Sequence, residues 1–321
     1  MIIRDWRGAS IPQIAALFNR TAGERYRVDE SLVAFNTVDS SVFDWGASLV
    51  MQDDDGPLLG FLAFKRSPSK LYRTNDPDEI HLCALGFDDP NCGFDLFEAA
   101  KGRIMDRGFS RIVFGADTRH FWPGVPLDVP MMNNFLTVQG FEMGAEVFDL
   151  ERDLSGYEAT RPLPAGAEFR PLGNKDLESL GTFLREEFPH RWRHDVEAKI
   201  ELENDPSTVF GLLIDGRVRG FALLQREGAK APMGGAVWHN ALGPSWCALG
   251  PIGVAAELRG GGYGGALLDQ ALLHLSQSGG RRCLIDWTTL GKFYGKMGFE
   301  PTRRYRSAAY DPYAAPLTPI S

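Results

Sequence analysis

Residues 259–265 read RGGGYGG, between the strand-like run PIGV (251–254) and the helix-like run ALLDQALLHL (266–275). Glycine loses more conformational freedom on folding than any other residue, so a cluster of this density needs a reason. A strand, a glycine turn and a helix in that order aim backbone N–H groups and the positive end of a helix dipole at one point. That is the chemistry of anion binding. Further on, FYGKMGF (293–299) places Tyr294 on a short helix after the strand RCLIDW (282–287). A phenol is protonated at neutral pH and can act as a general acid; the alternative is a buried or amphipathic tyrosine capping the core. Asp286, at the end of that strand, is a candidate site carboxylate with a surface or capping role as its alternative. FPHRWRHD (188–195) clusters Arg191, Trp192 and Arg193, which by themselves read as a solvated arginine face with Trp192 packed inward. His239, His190 and His194 complete the candidates for a general base.

Three readings of the glycine turn are open. The first is a flexible turn without a ligand. The second is a dinucleotide fold, since Gly260, Gly262 and Gly265 satisfy G-x-G-x-x-G and Asp286 follows at about the distance of a ribose-binding acid. Its context argues against it. Five residues, AAELR, separate Val254 from Gly260, and 56 residues after Gly265 are too few for the remaining parallel strands. The third reading is a diphosphate cradle.

The elements that must hold these residues follow from periodicity. A strand near Glu168, a helix over 174–187 and another over 194–203 lead to strands 207–215 and 218–227, joined at Gly216. Strand 245–254 enters the glycine turn and helix 264–278 leaves it. That helix has one apolar face of Leu267, Leu268, Ala271, Leu272 and Leu275, and a C-cap at Gly279–Gly280. Strand 282–287, a helix near 289–297 and a strand pair around 298–311 close the chain.

The pattern is written twice. Ile11, Ile14, Leu17 and Phe18 have the spacing of Leu177, Leu180, Phe183 and Leu184. RYRVD (25–29) answers RWRHD (191–195), GFLAF (60–64) answers GFALL (220–224), CALG (83–86) answers CALG (247–250), and FLTVQGF (135–141) answers FYGKMGF, at offsets of 158 to 166 residues in unchanged order. Such a period means two duplicated domains rather than a solenoid. The expected division is 1–154, a Pro- and Gly-containing linker 155–167, and 168–321.

Arg259-x-x-Gly262-x-Gly264, with PIGV before it and FYGKMGF after it, resembles the R/Q-x-x-G-x-G/A signature of the GCN5-related N-acetyltransferases (GNAT). The resemblance covers most of 168–312 and is strongest over 250–300. It implies an α+β fold of the three-layer type: two tandem acetyltransferase-like domains, each a mixed, mostly antiparallel central sheet flanked by helices. It implies acetyl-CoA as cosubstrate, bound by Ile252, Gly253, Val254, Arg259, Gly260, Gly261, Gly262, Tyr263, Gly264 and Gly265, with Tyr294 protonating the leaving thiolate. Arg191, Trp192, Arg193 and His239 would serve the acceptor. Two departures stand out. Trp287 occupies the place where the family often has asparagine, and strand 245–254 lacks the glutamate that many members use as base. The first half lacks the cradle: Asp88 and Asp89 would repel a diphosphate, and Leu136 stands where Tyr294 stands. It is expected to be degenerate, with the rigid segment Trp122–Pro126 plugging it or, alternatively, walling the acceptor pocket of the other domain.

Composition bounds the rest. The chain has 321 residues, net charge −8 and four cysteines without C-x-x-C spacing, which excludes a basic nucleic-acid surface and a cysteine metal or redox motif. No run of residues is long and apolar enough for a membrane span, and the first residues are too polar for a signal peptide. The expectation is a cytoplasmic, metal-free N-acetyltransferase with its active site in the second half, acting on a primary amine of a small molecule or peptide. The alternatives are a non-catalytic acyl-CoA-binding or scaffold protein and, more remotely, an NAD-dependent oxidoreductase.

Overall fold

The computed structural model describes residues 1–53, 56–67 and 78–314. The strands are β1 (Ile2–Asp5), β2 (Leu49–Gln52), β3 (Leu58–Arg66), β4 (Glu79–Phe87), β5 (Arg111–Phe114), β6 (Val125–Pro126), β7 (Glu142–Asp153), β8 (Ala167–Pro171), β9 (Val209–Ile214), β10 (Arg217–Arg226), β11 (Trp246–Val254), β12 (Arg282–Thr288) and β13 (Glu300–Tyr310). The helices are α1 (Ile11–Ala22), α2 (Glu30–Asn36), α3 (Pro90–Asp106), α4 (Pro130–Val138), α5 (Leu177–Glu187), α6 (Arg191–Glu203), α7 (His239–Leu242), α8 (Tyr263–Gln277) and α9 (Gly291–Gly295).

Two compact units result. One takes residues up to Phe148 together with Arg303 onward, and the other takes Asp149–Thr302. In the first, β1, β2, β3 and β4 are antiparallel neighbours, β4 and β5 are parallel, and β5 pairs antiparallel with residues 308–310 of β13. In the second, β8, β9, β10 and β11 are antiparallel, β11 and β12 are parallel, and β12 lies next to β7. Each unit is thus a mixed, mostly antiparallel sheet with the same strand sequence. The compact units differ from the division expected from sequence. Residues 149–167 lie with the second unit, and the expected strand pair near the C-terminus is one long strand whose residues from Arg303 belong to the first. Alternating polarity marks a strand without saying which sheet takes it.

Local sequence explains the elements around the site. Asp215 and Gly216 both have positive φ (+49° and +72°) and close the β9–β10 hairpin, the conformation that Asp-Gly favours. α5 and α6 share a core with Phe221 and Leu223 of β10, while α8 packs on β10 and β11, with Leu275 beside Leu224 on the other face. The predicted α8 face, Leu267, Leu268, Ala271, Leu272 and Leu275, is buried throughout, and Gly279 at φ +94° ends the helix.

Register corrects one echo. Gly60 stands opposite Phe87 and Gly220 opposite Val254. Cys83–Gly86 therefore matches Gly250–Gly253 rather than the second CALG. The strand irregularity falls at the matching places, Cys83 in β4 and Gly250–Pro251 in β11. In the first unit Trp122 is fully buried against Phe18 (5.6 Å) and Tyr26 (4.8 Å), within the core of its own unit.

Candidate active site

β11 and β12 pair only over Trp246–Ala248 and Arg282–Leu284. Beyond that point the strands part, and one edge of β11 from Leu249 faces the opening. On its other edge β11 stays paired with β10 as far as Val254. A 3-10 turn, Ala256–Leu258, then leads into the glycines. Gly260 and Gly262 have φ of +82° and +85°, the left-handed region that side chains avoid. A Cβ added at either meets no protein atom within 4 Å, so conformation rather than crowding calls for glycine there. The Gly261 N–H donates to the Leu258 carbonyl (3.2 Å), and the Ala266 N–H rejoins the helical ladder at the Gly262 carbonyl (3.0 Å). The N–H groups of Gly260, Gly262, Tyr263, Gly264 and Gly265 have no acceptor among the described residues. Open donors at the start of a helix are what an anion requires.

Glu187, at the end of α5, fixes this turn. Its carboxylate accepts the Ala256 N–H (2.9 Å) and lies 3.6 Å from the Arg259 guanidinium. Arg259 Nε also donates to the Val254 carbonyl (3.4 Å), so the motif arginine closes the turn locally. Sequence reasoning missed Glu187. A carboxylate in the last turn of a helix opposes the helix dipole, and that was the available signal.

Tyr294 sits on α9 and is 5% exposed. Its hydroxyl has no hydrogen-bond partner among the described residues. Burial, and then the charge of Asp286, push its phenol up to about 12. The Asp286 carboxylate lies against the backbone at the strand irregularity: a Cβ would come within 2.9 Å of it at Gly234 and 3.6 Å at Gly250. The next residue, Trp287, has φ +45°, an outlier for a bulky side chain. Its N–H donates to Asp149 (3.2 Å), and the Arg191 guanidinium covers its ring at 4.3 Å. Arg191 is held in turn by Asp195 (3.1 Å).

Phe188 stacks on Trp192 (5.1 Å) and its ring occupies the space a side chain at Gly253 would need. Trp192 is 40% exposed. Arg191 and Trp192 therefore stand by the opening. Arg193, two positions further and about 200° around the helix, pairs with Glu197 (2.7 Å) instead. His239 packs on Trp246 at the opposite end of β11 (5.5 Å) and is not brought to the loop.

The first unit has another arrangement. Only Asp88 and Asp89 separate β4 from α3. Asp89 accepts the Asn91 N–H (2.9 Å), so the helix start is capped by its own carboxylate, and Asp88 is paired with Arg20 (2.8 Å). Phe87, Phe94 and Phe135 pack together there (4.8 and 5.5 Å), and Leu136 is fully buried.

Residues 177–299 match the acetyltransferase (GNAT) family model. No curated protein matches the chain significantly. Among solved structures, it is similar to the GCN5-related glucosamine N-acetyltransferase region of a fungal multi-domain GH3 beta-N-acetylglucosaminidase, with 21% identity, TM-score 0.83 and 96% of this chain covered. The chain spans 38% of that protein's length. It is also similar to a GCN5-related N-acetyltransferase from Sphaerobacter thermophilus (15% identity, TM-score 0.70, 98% and 96% covered) and to a tandem GNAT protein from the clavulanic acid biosynthesis pathway (14%, 0.66, 95% and 95%). Low identity limits these structural likenesses to the fold, while the family match spans α5 to the end of the Tyr294 segment. Residues 177–299 match the GNAT family, and the chain as a whole shares the fold of tandem GNAT structures.

Proposed function

We propose that the chain is an acyl-CoA-dependent N-acetyltransferase whose second unit moves an acetyl group from acetyl-CoA to a primary amine of a small molecule or peptide, and whose first unit holds no coenzyme. The observation that carries this reading is the set of open N–H donors at Gly260 and Gly262–Gly265, beside the unpaired edge of β11 and the Asp286–Tyr294 pair. The coenzyme diphosphate meets the donors, and the thioester supplies the acetyl group. The neutral amine nitrogen attacks the thioester carbonyl, the C–S bond breaks, and the proton lost from nitrogen passes by way of Asp286 to the departing sulfur. Tyr294 donates a hydrogen bond to the departing sulfur, and N–H groups on the open β11 edge stabilise the developing oxyanion. Arg191 and Trp192 border the acceptor. An amino sugar belongs first in an acceptor panel, because one similar structure contains a glucosamine N-acetyltransferase region and an exposed indole offers a face to a sugar ring.

Calorimetric titration with acetyl-CoA tests the reading, with NAD as control. One site per chain is expected, roughly micromolar or tighter, absent for NAD and lost in Gly262→Glu. No coenzyme binding sinks the reading, and two sites per chain sink the empty first unit. Binding without turnover on any amine, unchanged by Tyr294→Phe, would make the protein a coenzyme binder rather than an enzyme.

A further inference from the structure

The segment between the two sequence halves is not a free linker. The Tyr157 hydroxyl donates to one oxygen of Asp269 (2.5 Å), and the N–H groups of Thr160 and Arg161 donate to the other (2.9 and 2.7 Å). Asp269 is fully buried on α8, one turn after Gly265. This anchor sends the Arg161 side chain back along α8 to its first turn. A Cβ at Gly265 would stand 3.2 Å from Arg161 Nη1 and 3.3 Å from its Cδ and Nε. On its other side Arg161 Nε donates to the sulfur of Met297 (3.3 Å), in the same segment as Tyr294. Among the described residues no carboxylate lies within ion-pair distance of Arg161.

That placement is electrostatically unfavourable for an empty site. The first turn of a helix is the positive end of its dipole and carries the open N–H donors, so a guanidinium there is repelled. A carboxylate partner would relieve it, and none is present. An anion bridging the N–H groups and the guanidinium relieves both at once. Gly265 has a distinct reason from Gly260 and Gly262: it makes room for the arginine.

We propose that Arg161 is a phosphate-binding residue of the coenzyme site, supplied by the segment before the second sheet and held in place through Asp269. The inference rests on the proposed acyl-CoA site. The coenzyme carries two kinds of phosphate, the diphosphate and the 3′-phosphate, and either matches a guanidinium.

The test is calorimetric titration of the full chain and its Arg161→Ala variant with acetyl-CoA and with the acetylated coenzyme lacking the 3′-phosphate. The substitution keeps the N–H that binds Asp269, and an unchanged unfolding temperature confirms the fold. Arg161→Ala is expected to weaken acetyl-CoA binding about 10-fold, the scale of one charge-assisted hydrogen bond. A loss confined to the full coenzyme places Arg161 on the 3′-phosphate, and an equal loss for both places it on the diphosphate. Gly265→Ala, which crowds the guanidinium, should move affinity in the same direction. Wild-type binding with Arg161→Ala unchanged for both ligands overturns this assignment alone. A wild-type chain that binds neither ligand overturns it together with the proposed function.

Discussion

Tyr294 has the type expected of a general acid, but its surroundings define what it can give. Burial and the neighbouring Asp286 charge hold the phenol near 12. A free thiol titrates near 8.5, well below this phenol, so complete proton transfer from the phenol to a thiolate is uphill. The residue is therefore suited to donating a hydrogen bond to the departing sulfur, with the proton itself coming from the attacking amine. The phenol's pKa is raised, so it stays protonated as pH climbs and is lost only near 12. Tyr294→Phe should lower kcat by about 10²-fold, the scale of removing one aligned donor, with little change in KM for acetyl-CoA. The wild-type rate should show no alkaline fall near 10 that the Phe variant lacks; such a limb would contradict the assignment. At this scale the sequence was legible where residue type is itself the signal, as in Arg259, the glycines and Tyr294. It was silent on Glu187, Asp149 and Arg161, which reach the site only through folding and follow no local spacing.

At the level of elements, the two strand–turn–helix units differ in one segment. β11 and α8 are separated by residues 255–262, whereas β4 and α3 are separated by two aspartates, one of which caps its own helix. The lengthened turn leaves the donors open; the short one closes them. The glycines within the long turn are not equivalent. Gly262 needs its left-handed φ, whereas Gly264 has no positive φ and a Cβ there would make an ordinary 3.9 Å contact with Val254. Gly264→Ala should therefore raise the unfolding temperature slightly, since alanine is favoured over glycine in a helix by about 1 kcal/mol, while weakening coenzyme binding by crowding the donors. Gly262→Ala should lower both. Thermal unfolding beside calorimetry separates them, and a Gly264→Ala chain that binds as tightly as wild type would show that the ligand does not approach this turn. The periodicities of the helices and most strands were readable because each buries one face. The CALG echo misled because identical letters fell three positions out of register, which only the pairing of β10 with β11 could reveal.

For the molecule as a whole, the order along the chain and the order within the sheets part company. The first unit needs residues from Arg303 onward: Tyr305 is fully buried there, Ala308 is 3% exposed, and Ile112–Phe114 of β5 pair with 308–310. The second unit needs residues that precede the expected linker, since Asp149 accepts the Trp287 N–H and Glu151 accepts from Arg282 (2.6 Å). No sequence pattern announced this, because a strand's alternation is satisfied by any sheet of suitable polarity. Cutting the gene at the apparent repeat boundary should therefore damage both products. A chain ending at Thr302 should lose amide protection over β4 and β5, read by hydrogen exchange, while the amides of β10, β11 and α8 stay protected and acetyl-CoA binding survives. A fragment beginning at Ser155 lacks Asp149 and Glu151, leaving the Trp287 N–H and the Arg282 guanidinium without those acceptors, and should bind coenzyme more weakly than one beginning at Glu142. Equal affinity of those two fragments would mean that β7 is dispensable to the site.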